Sequence, residues 1–295
     1  MDYAMEPFGE VMMLGRWPVQ LPAYRVEHCR INPNWEEGRL LSMHAHLRPG
    51  DVLYDVGAEH GDLSALYGTW VRNDRVVDQR PYTADEVRQG LISNSRGGVV
   101  LVEGSDRFWP VIKATFEANH LEPGGCYAGF ASDLDSPESE RGPGWPVQPL
   151  ALRGEWPSWA EPDPVAHHGF KSLIESKQTI PNVRFDTLAL HVGPPDAMTI
   201  DVEGAEARVL RGSERILRED KPIVWVSLHP EMLSFDYPEW DGMTAEDVSP
   251  WFVDFMDGYG YQAQFLERNH EHHWICWAED RPLDPWAGVE HLRCL

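Results

Sequence analysis

Apolar runs and polar turns alternate along this chain in a rhythm that predicts strands followed by helices. The first clear run, Val52 to Val56, is entered through the turn Arg48-Pro49-Gly50-Asp51 and left through Gly57-Ala58-Glu59-His60-Gly61. A helix is expected before it, from Trp35 to Leu47, with Leu40, Leu41, His44 and Leu47 near one face. Another starts at Asp62 and runs through Leu63, Leu66 and Tyr67. Val99 to Glu103 reads as the second strand. Ser105 is placed to cap the next helix, in which Phe108, Ile112, Thr115 and Phe116 keep helical spacing. Cys126 to Ala131 is the third strand, ending at Ser132-Asp133. Val183 to Leu188 leads toward a fourth, Ala197 to Val202, whose helix spans Glu206 to Arg218 and is stopped by Lys221-Pro222. Ile223 to Leu228 is nearly all apolar, as a strand buried on both faces should be. Residues 244 to 257 predict a helix, and Tyr261 to Phe265 with Trp274 to Trp277 predict a terminal antiparallel hairpin.

This alternation indicates the α/β class, with a doubly wound, mostly parallel sheet covered on both faces. Residues 1–35, punctuated by Pro18, Pro22 and Pro33, read as an N-terminal cap segment. Residues 36–295 read as a single domain with insertions at about 70–98 and 134–180. A long Pro-, Gly- and Trp-rich insertion of the second kind is either functional or conceals further elements.

Composition narrows the classes. A net charge of −23 disfavours nucleic-acid and anionic-membrane partners and suits a cationic cofactor. No apolar stretch is long enough to predict a transmembrane helix, and Met1 to Glu10 lacks the pattern of a secretory signal. Cys29, Cys126, Cys276 and Cys294 are scattered, which fits reduced thiols in the cytoplasm better than a disulfide framework or a zinc site. Oligomeric state is not legible.

The chemistry concentrates at strand ends. Met198-Thr199-Ile200-Asp201-Val202-Glu203-Gly204-Ala205-Glu206 runs from a strand into two close acids, a Gly-Ala turn and a third acid. The first strand ends at Asp55 and the second at Glu103, and open α/β sheets bind ligands at the carboxyl ends of their strands. Gly57 and Gly61 permit close backbone approach to a ligand, but Ala58 and Glu59 between them break the GxGxxG spacing, which opposes a dinucleotide. Glu103 can accept both hydroxyls of a ribose. It lies beyond the usual gap of about 20 residues from the glycine turn, and the insertion at 70–98 accounts for the excess.

On these segments the chain resembles the FkbM family of S-adenosylmethionine-dependent methyltransferases. The resemblance rests on Asp51 to Gly61, Val99 to Ser105, Phe130-Ala131-Ser132, Ile200 to Glu206 with Val209-Leu210-Arg211-Gly212, and Val226 to Pro230. It implies the seven-stranded class I methyltransferase sheet and transfer of a methyl group to a hydroxyl of a sugar, glycan or natural-product scaffold, with S-adenosylhomocysteine as the product. It also implies that Asp55, Gly57, Ala58 and Gly61 line the methionine part of the cofactor. Glu103 would bind the ribose, and Ser132 with Phe130 would lie near the adenine. Asp201 and Glu203 would face the sulfonium and the acceptor. Two positions depart from the family pattern: Thr199 stands where a lysine is frequent, and Ser227 where a glutamate is frequent.

A hydroxyl acceptor needs a proton acceptor. His229, just past the fifth strand, has a suitable intrinsic pKa, and Asp201 is its rival. Trp145, Trp156 and Trp159 are candidates for stacking on a sugar face. No metal is expected; a divalent cation held by Asp201 and a second acid is the reserve reading. His270-Glu271-His272-His273 reads as a hairpin turn, since no carboxylate nearby in sequence completes a metal site. Two other readings stay open: a methyltransferase-fold binding module that has lost the reaction, favoured by Thr199 and Ser227, and a nicotinamide oxidoreductase, opposed by the glycine spacing.

Overall fold

The computed structural model describes residues 12–14, 17–21, 36–72, 97–136, 146, 148–160, 180–232 and 244–289. Most of residues 1–35, the greater part of both expected insertions, Trp145 and the His167-His168 pair fall outside the described residues.

In chain order, β1 (Met12–Leu14) and β2 (Trp17–Val19) form a small antiparallel pair. Helix α1 (Glu37–His46) leads into β3 (Val52–Val56) and α2 (Asp62–Val71). Then come β4 (Gly98–Glu103), α3 (Trp109–Ala118), β5 (Gly125–Ala128), β6 (Phe130–Ser132) and β7 (Leu150–Ala151). Strand β8 (Asn182–Arg184) runs into α4 (Phe185–Val192), followed by β9 (Ala197–Ile200) and α5 (Glu206–Arg211). The chain closes with β10 (Ile223–Leu228), α6 (Val248–Asp257), β11 (Tyr261–Arg268) and β12 (His272–Ala278).

The main sheet has the order β11-β12-β10-β9-β3-β4-β5-β7. Its five central strands are parallel, and β12, β11 and β7 are antiparallel additions. The seven-stranded doubly wound sheet with a C-terminal antiparallel hairpin is therefore present, with the two-residue β7 added at one edge. From β3 the chain builds outward through β4 and β5, then returns to the other side of β3 with β9 and β10. The order thus reverses between β3 and β9, and such a switch point opens a crevice at the carboxyl ends of the strands.

Alternation along β3 sends Leu53 to one core and Tyr54 to the other. The first core holds Leu40, Leu41 and Met43 of α1 with Trp109, Ile112 and Phe116 of α3. The second holds Phe185, Leu188, Val209, Leu210 and Phe252 from α4, α5 and α6. All of β4 and β10 is buried because both faces are covered.

Three local expectations are revised. The strand expected through Ala131 ends at Ala128, and Phe130–Ser132 instead pairs with β8 in a separate parallel sheet. The helix expected to Arg218 ends at Arg211 and resumes as a π turn over Ile216–Asp220. Gly212 sits so close to β6 that a Cβ there would lie 2.0 Å from the Ser132 carbonyl oxygen. The Asp186 carboxylate then accepts from the amides of Arg215 and Ile216, at 3.0 Å each, and restarts the chain. Ser105 makes no side-chain cap on α3.

Gly57 has φ +90°, and a Cβ there would lie 1.8 Å from the Asp201 carbonyl oxygen. Gly57→Ala should therefore lose roughly 3 kcal/mol or more through backbone strain and overpacking together. Gly193, at φ +95° with open space around it, should lose only about 1–2 kcal/mol as alanine. Urea unfolding of the two variants checks the difference, and equal losses would show that the contact between β3 and β9 is not what demands Gly57.

Candidate functional site

Beyond β3 the turn spends its amides inside the protein. Gly57 and Ala58 N–H donate to the Val102 carbonyl, Gly61 N–H to the Ala58 carbonyl, and Glu59 N–H to Glu103 Oε2. This leaves little with which to cradle a phosphate, which opposes a dinucleotide on physical grounds. Gly61 stands in the left-handed region at the start of α2, and Asp55 is buried and accepts from the Ser64 hydroxyl. Burial pushes the Asp55 carboxyl up to about 6, although the Ser64 bond works against that shift.

Glu103 ends β4 as a buried carboxylate held by two loops. Its Oε2 takes the Glu59 amide at 2.9 Å and its Oε1 the Ser105 amide at 2.7 Å. Burial raises it to about 7 against those two bonds, with the charges of Glu59 and Glu203 adding to the rise. Each oxygen keeps acceptor capacity for a ligand hydroxyl. Beside it, the Ser105 Oγ is buried with no hydrogen-bond partner among the described residues. The Phe130 ring lies against Gly104, where a Cβ would meet it at 2.2 Å, so Phe130 flanks Glu103. Ser132 lies farther along the small sheet, with its hydroxyl on Asp133 Oδ1 and its carbonyl against Gly212. A buried acceptor pair, an orphaned hydroxyl and a flanking ring fit an adenosyl group.

On the other side of the switch point a second set of charges converges. Asp201 follows β9, with Asp201 N–H bonded to the Val56 carbonyl at 2.9 Å, and its side chain is 24% exposed. His229 follows β10. Its Nδ1 lies 2.8 Å from Glu206 Oε1, and its Nε2 lies 3.7 Å from Asp201 Oδ1 and 3.4 Å from Glu271 Oε1. Burial alone would lower this imidazole, but its bond to Glu206, with the neighbouring carboxylates of Glu271 and Asp201, holds it at about 11. At neutral pH it therefore carries a proton, so the expected base role for His229 would require that proton to leave first. Asp201 is raised to about 6, first by burial, with Arg39 opposing. Glu203 is exposed at φ +50° and takes no part in this cluster.

Arg39 of α1 was not singled out from the sequence. It is almost fully buried, pairs with Glu36, reaches Asp201 Oδ2 at 3.1 Å, and donates to Ser227 Oγ at 2.9 Å. The Ser227 hydroxyl in turn lies 2.9 Å from His273 Nδ1. Burial pushes Glu36 up to about 8 in spite of Arg39. Glu271, set aside above with the hairpin turn, is brought to His229 by the β11–β12 hairpin. The available sequence signal for Arg39 was a cation flanked by the buried positions of an amphipathic helix; for Glu271 it was an acid within a histidine run.

Trp156 and Trp159 are both partly buried. Trp156 stands edge-on to Phe116 at 5.8 Å, and both tryptophan rings pack in part against the core.

Residues 146–263 match the Methyltransferase FkbM domain. Among solved structures the fold is similar to a methyltransferase FkbM from Methylobacillus flagellatus KT, at 12% identity over 77% of this chain and 43% of that one, with a TM-score of 0.40. It is also similar to Aeropyrum pernix fibrillarin with natively bound S-adenosyl-L-methionine, at 12% identity, 78% and 67% coverage and a TM-score of 0.40. M. jannaschii TYW2 in complex with AdoMet is similar at 9% identity, 92% and 87% coverage and a TM-score of 0.36. The chain spans less than half the length of the first of these. No curated protein sequence matches. The FkbM resemblance drawn from the strand-end motifs is thus borne out, and the domain match supports S-adenosylmethionine-dependent methyl transfer in general.

Removing Arg39 leaves Asp201 and Glu36 buried without their cation. Arg39→Met should cost about 3–5 kcal/mol, read as a lowered urea midpoint at pH 7, and Arg39→Lys should restore only part of it because two partners need the planar fork. An unchanged midpoint would show that the ion cluster contributes nothing to the fold.

Proposed function

We propose that this chain is an S-adenosylmethionine-dependent O-methyltransferase acting on a hydroxyl of a sugar, glycan or natural-product scaffold. The observation that carries the reading is the placement of Glu103 at the end of β4, of Asp201 and His229 after β9 and β10, and of Glu271 in the β11–β12 hairpin, on the two sides of one switch point.

When bound, the cofactor supplies a methyl group on a cationic sulfonium. Glu103 accepts the ribose hydroxyls, and Phe130 and Ser105 flank the nucleoside. Asp55 and the turn at Gly57, Ala58 and Gly61 close the methionine side. Asp201, the partly exposed carboxylate of the cluster, faces the acceptor and takes its proton. Tight pairing of the sulfonium with carboxylates would not by itself speed the reaction, since charge disperses in the transition state. The rate comes mainly from alignment of acceptor oxygen, methyl carbon and sulfur, and the close contact between Gly57 and Asp201 fixes those two strand tips relative to one another. Cys126 and Cys276 are free and buried, which supports a cytoplasmic setting. Among the described residues no helix is long and apolar enough to cross a membrane.

Calorimetry with S-adenosylmethionine tests the cofactor half. Glu103→Ala should weaken binding roughly 10–100-fold, the loss expected for one or two bonds to a charged acceptor. Glu103 is held at about 7, so affinity should rise about tenfold from pH 6 to pH 8 as it ionises. Glu103→Gln should flatten that profile. A profile unchanged in the variant would remove Glu103 from the site. Release of S-adenosylhomocysteine with a panel of hydroxylated acceptors tests the other half, and cofactor binding without turnover on any of them would favour the binding-module reading.

A further inference from the structure

The cluster above β9 and β10 holds more than proton transfer requires. His229 makes one proper hydrogen bond, from Nδ1 to Glu206. On its other side, Nε2 stands 3.7 Å from Asp201 Oδ1 and 3.4 Å from Glu271 Oε1, beyond the usual range of hydrogen bonds. The three ligand atoms lie within 4.8 Å of one another. Two ligands on one metal, each bonded at about 2.1 Å, sit roughly 3–3.5 Å apart. The spacing therefore suits three groups disposed about a common centre better than three groups paired with each other.

We propose that Asp201, His229 and Glu271 form a binding site for a divalent cation of the manganese kind. The mixed imidazole and carboxylate set suits such a metal better than calcium, which prefers oxygen alone. Glu206 holds His229 from behind, the carboxylate–histidine–metal arrangement that fixes ring orientation. Glu206 is itself 1% exposed, and its Oε1 also takes the Gly204 amide at 3.0 Å, so its position is set independently of any ligand. A second observation points to a ligand. Glu271 is 4% exposed, and its Oε2 has no hydrogen-bond partner among the described residues. That oxygen lies 3.8 Å from His273 Nε2, which also lacks one. The exposed His270 meets Glu271 Oε1 from the solvent side at 2.6 Å. Among the described residues the cations of the cluster are Arg39 and the protonated His229, against the four carboxylates of Glu36, Asp201, Glu206 and Glu271, and a metal bound at His229 would take the place of that ring's proton. The partly exposed side of Asp201 provides an entry path.

The ligands come from three separate places: the loop after β9, the end of β10 and the hairpin between β11 and β12. A cation there would tie the terminal hairpin to the site and draw two oxygens of a vicinal diol toward Asp201. That role rests on the methyl-transfer reading, whereas the binding site itself does not.

The test uses full-length protein stripped with a chelator and titrated with manganese chloride, free metal being followed by electron paramagnetic resonance. One equivalent should be retained, and spin-echo modulation should show a nitrogen nucleus coupled to the bound ion. His229→Gln and Glu271→Gln should each weaken retention at least tenfold, while Glu117→Gln, an exposed acid on α3, should leave it unchanged. Manganese should also raise the thermal midpoint of the wild type but not of His229→Gln. Equal retention in all variants would assign the metal to scattered surface acids and overturn the proposal. So would absence of nitrogen coupling, even if a variant failed to fold. Calorimetry with S-adenosylmethionine on the stripped protein separates the two claims: cofactor binding without manganese binding sinks only the metal site, and the reverse sinks only the methyl-transfer reading.

Discussion

Negative charge buried at the tips of parallel strands is the constraint around which this half of the molecule is organised. Asp55, Glu103, Glu206, Glu271 and Glu36 are buried, and Asp201 is partly so. An ionised carboxylate taken out of water must find bonds or opposite charge, or it keeps its proton. The compensation differs by position. Asp55 has the Ser64 hydroxyl, Glu103 has two amides, Glu206 has an amide and His229, and Asp201 and Glu36 share Arg39. Dipoles alone do not restore Asp55 and Glu103 to ordinary carboxylate behaviour, and both are raised. The surplus favours positive charge in the crevice, the property that the proposed sulfonium and the proposed divalent cation share.

The same crevice depends on how closely two strand tips can approach. Asp201 is far from Gly57 in sequence, yet β3 and β9 are parallel neighbours in the register Val56 to Ile200. The Asp201 carbonyl occupies the volume that a side chain at position 57 would need. A glycine that resembles a ligand cradle in the sequence is here demanded first by the protein itself. The turn that clears Asp201 also delivers the Glu59 amide to Glu103.

This explains what could be read from the sequence and what could not. Strands such as Val52–Val56 and Ile223–Leu228 were legible to the residue because burial on both faces leaves an unbroken apolar run with sharp turns at its ends. The breaks at Gly129 and Gly212 were not legible, since each answers to a distant partner: the amide of Gly129 bonds the Glu103 carbonyl, and Gly212 abuts Ser132. The candidate site residues divided in the same way. Glu103, Asp201 and His229 sit at strand ends and announced themselves. Arg39 and Glu271 lie on a helix and a hairpin turn, where a charged residue is ordinarily solvated, and only the tertiary fold turns them inward. The packing of Trp156 was also not legible: an aromatic residue in a Pro-rich segment suggested surface, and the ring lies partly buried against Phe116.

The two departures from the family pattern acquire a physical account. In the register of β3 and β9, Thr199 lies opposite Asp55, so a lysine at that position would bring a cation to the neighbourhood of Asp55 and Asp201. The threonine brings none, and its hydroxyl has no hydrogen-bond partner among the described residues. Arg39 supplies the missing charge from α1: it bonds Asp201 and pulls Asp55 downward against burial. A glutamate at 227 would face Arg39 and compete for it with Asp201 and Glu36. Ser227 instead accepts from Arg39 and meets His273, leaving the guanidinium to the acids that need it. In this chain the cation near Asp55 and Asp201 thus comes from α1, and Ser227 bonds it without adding a charge of its own.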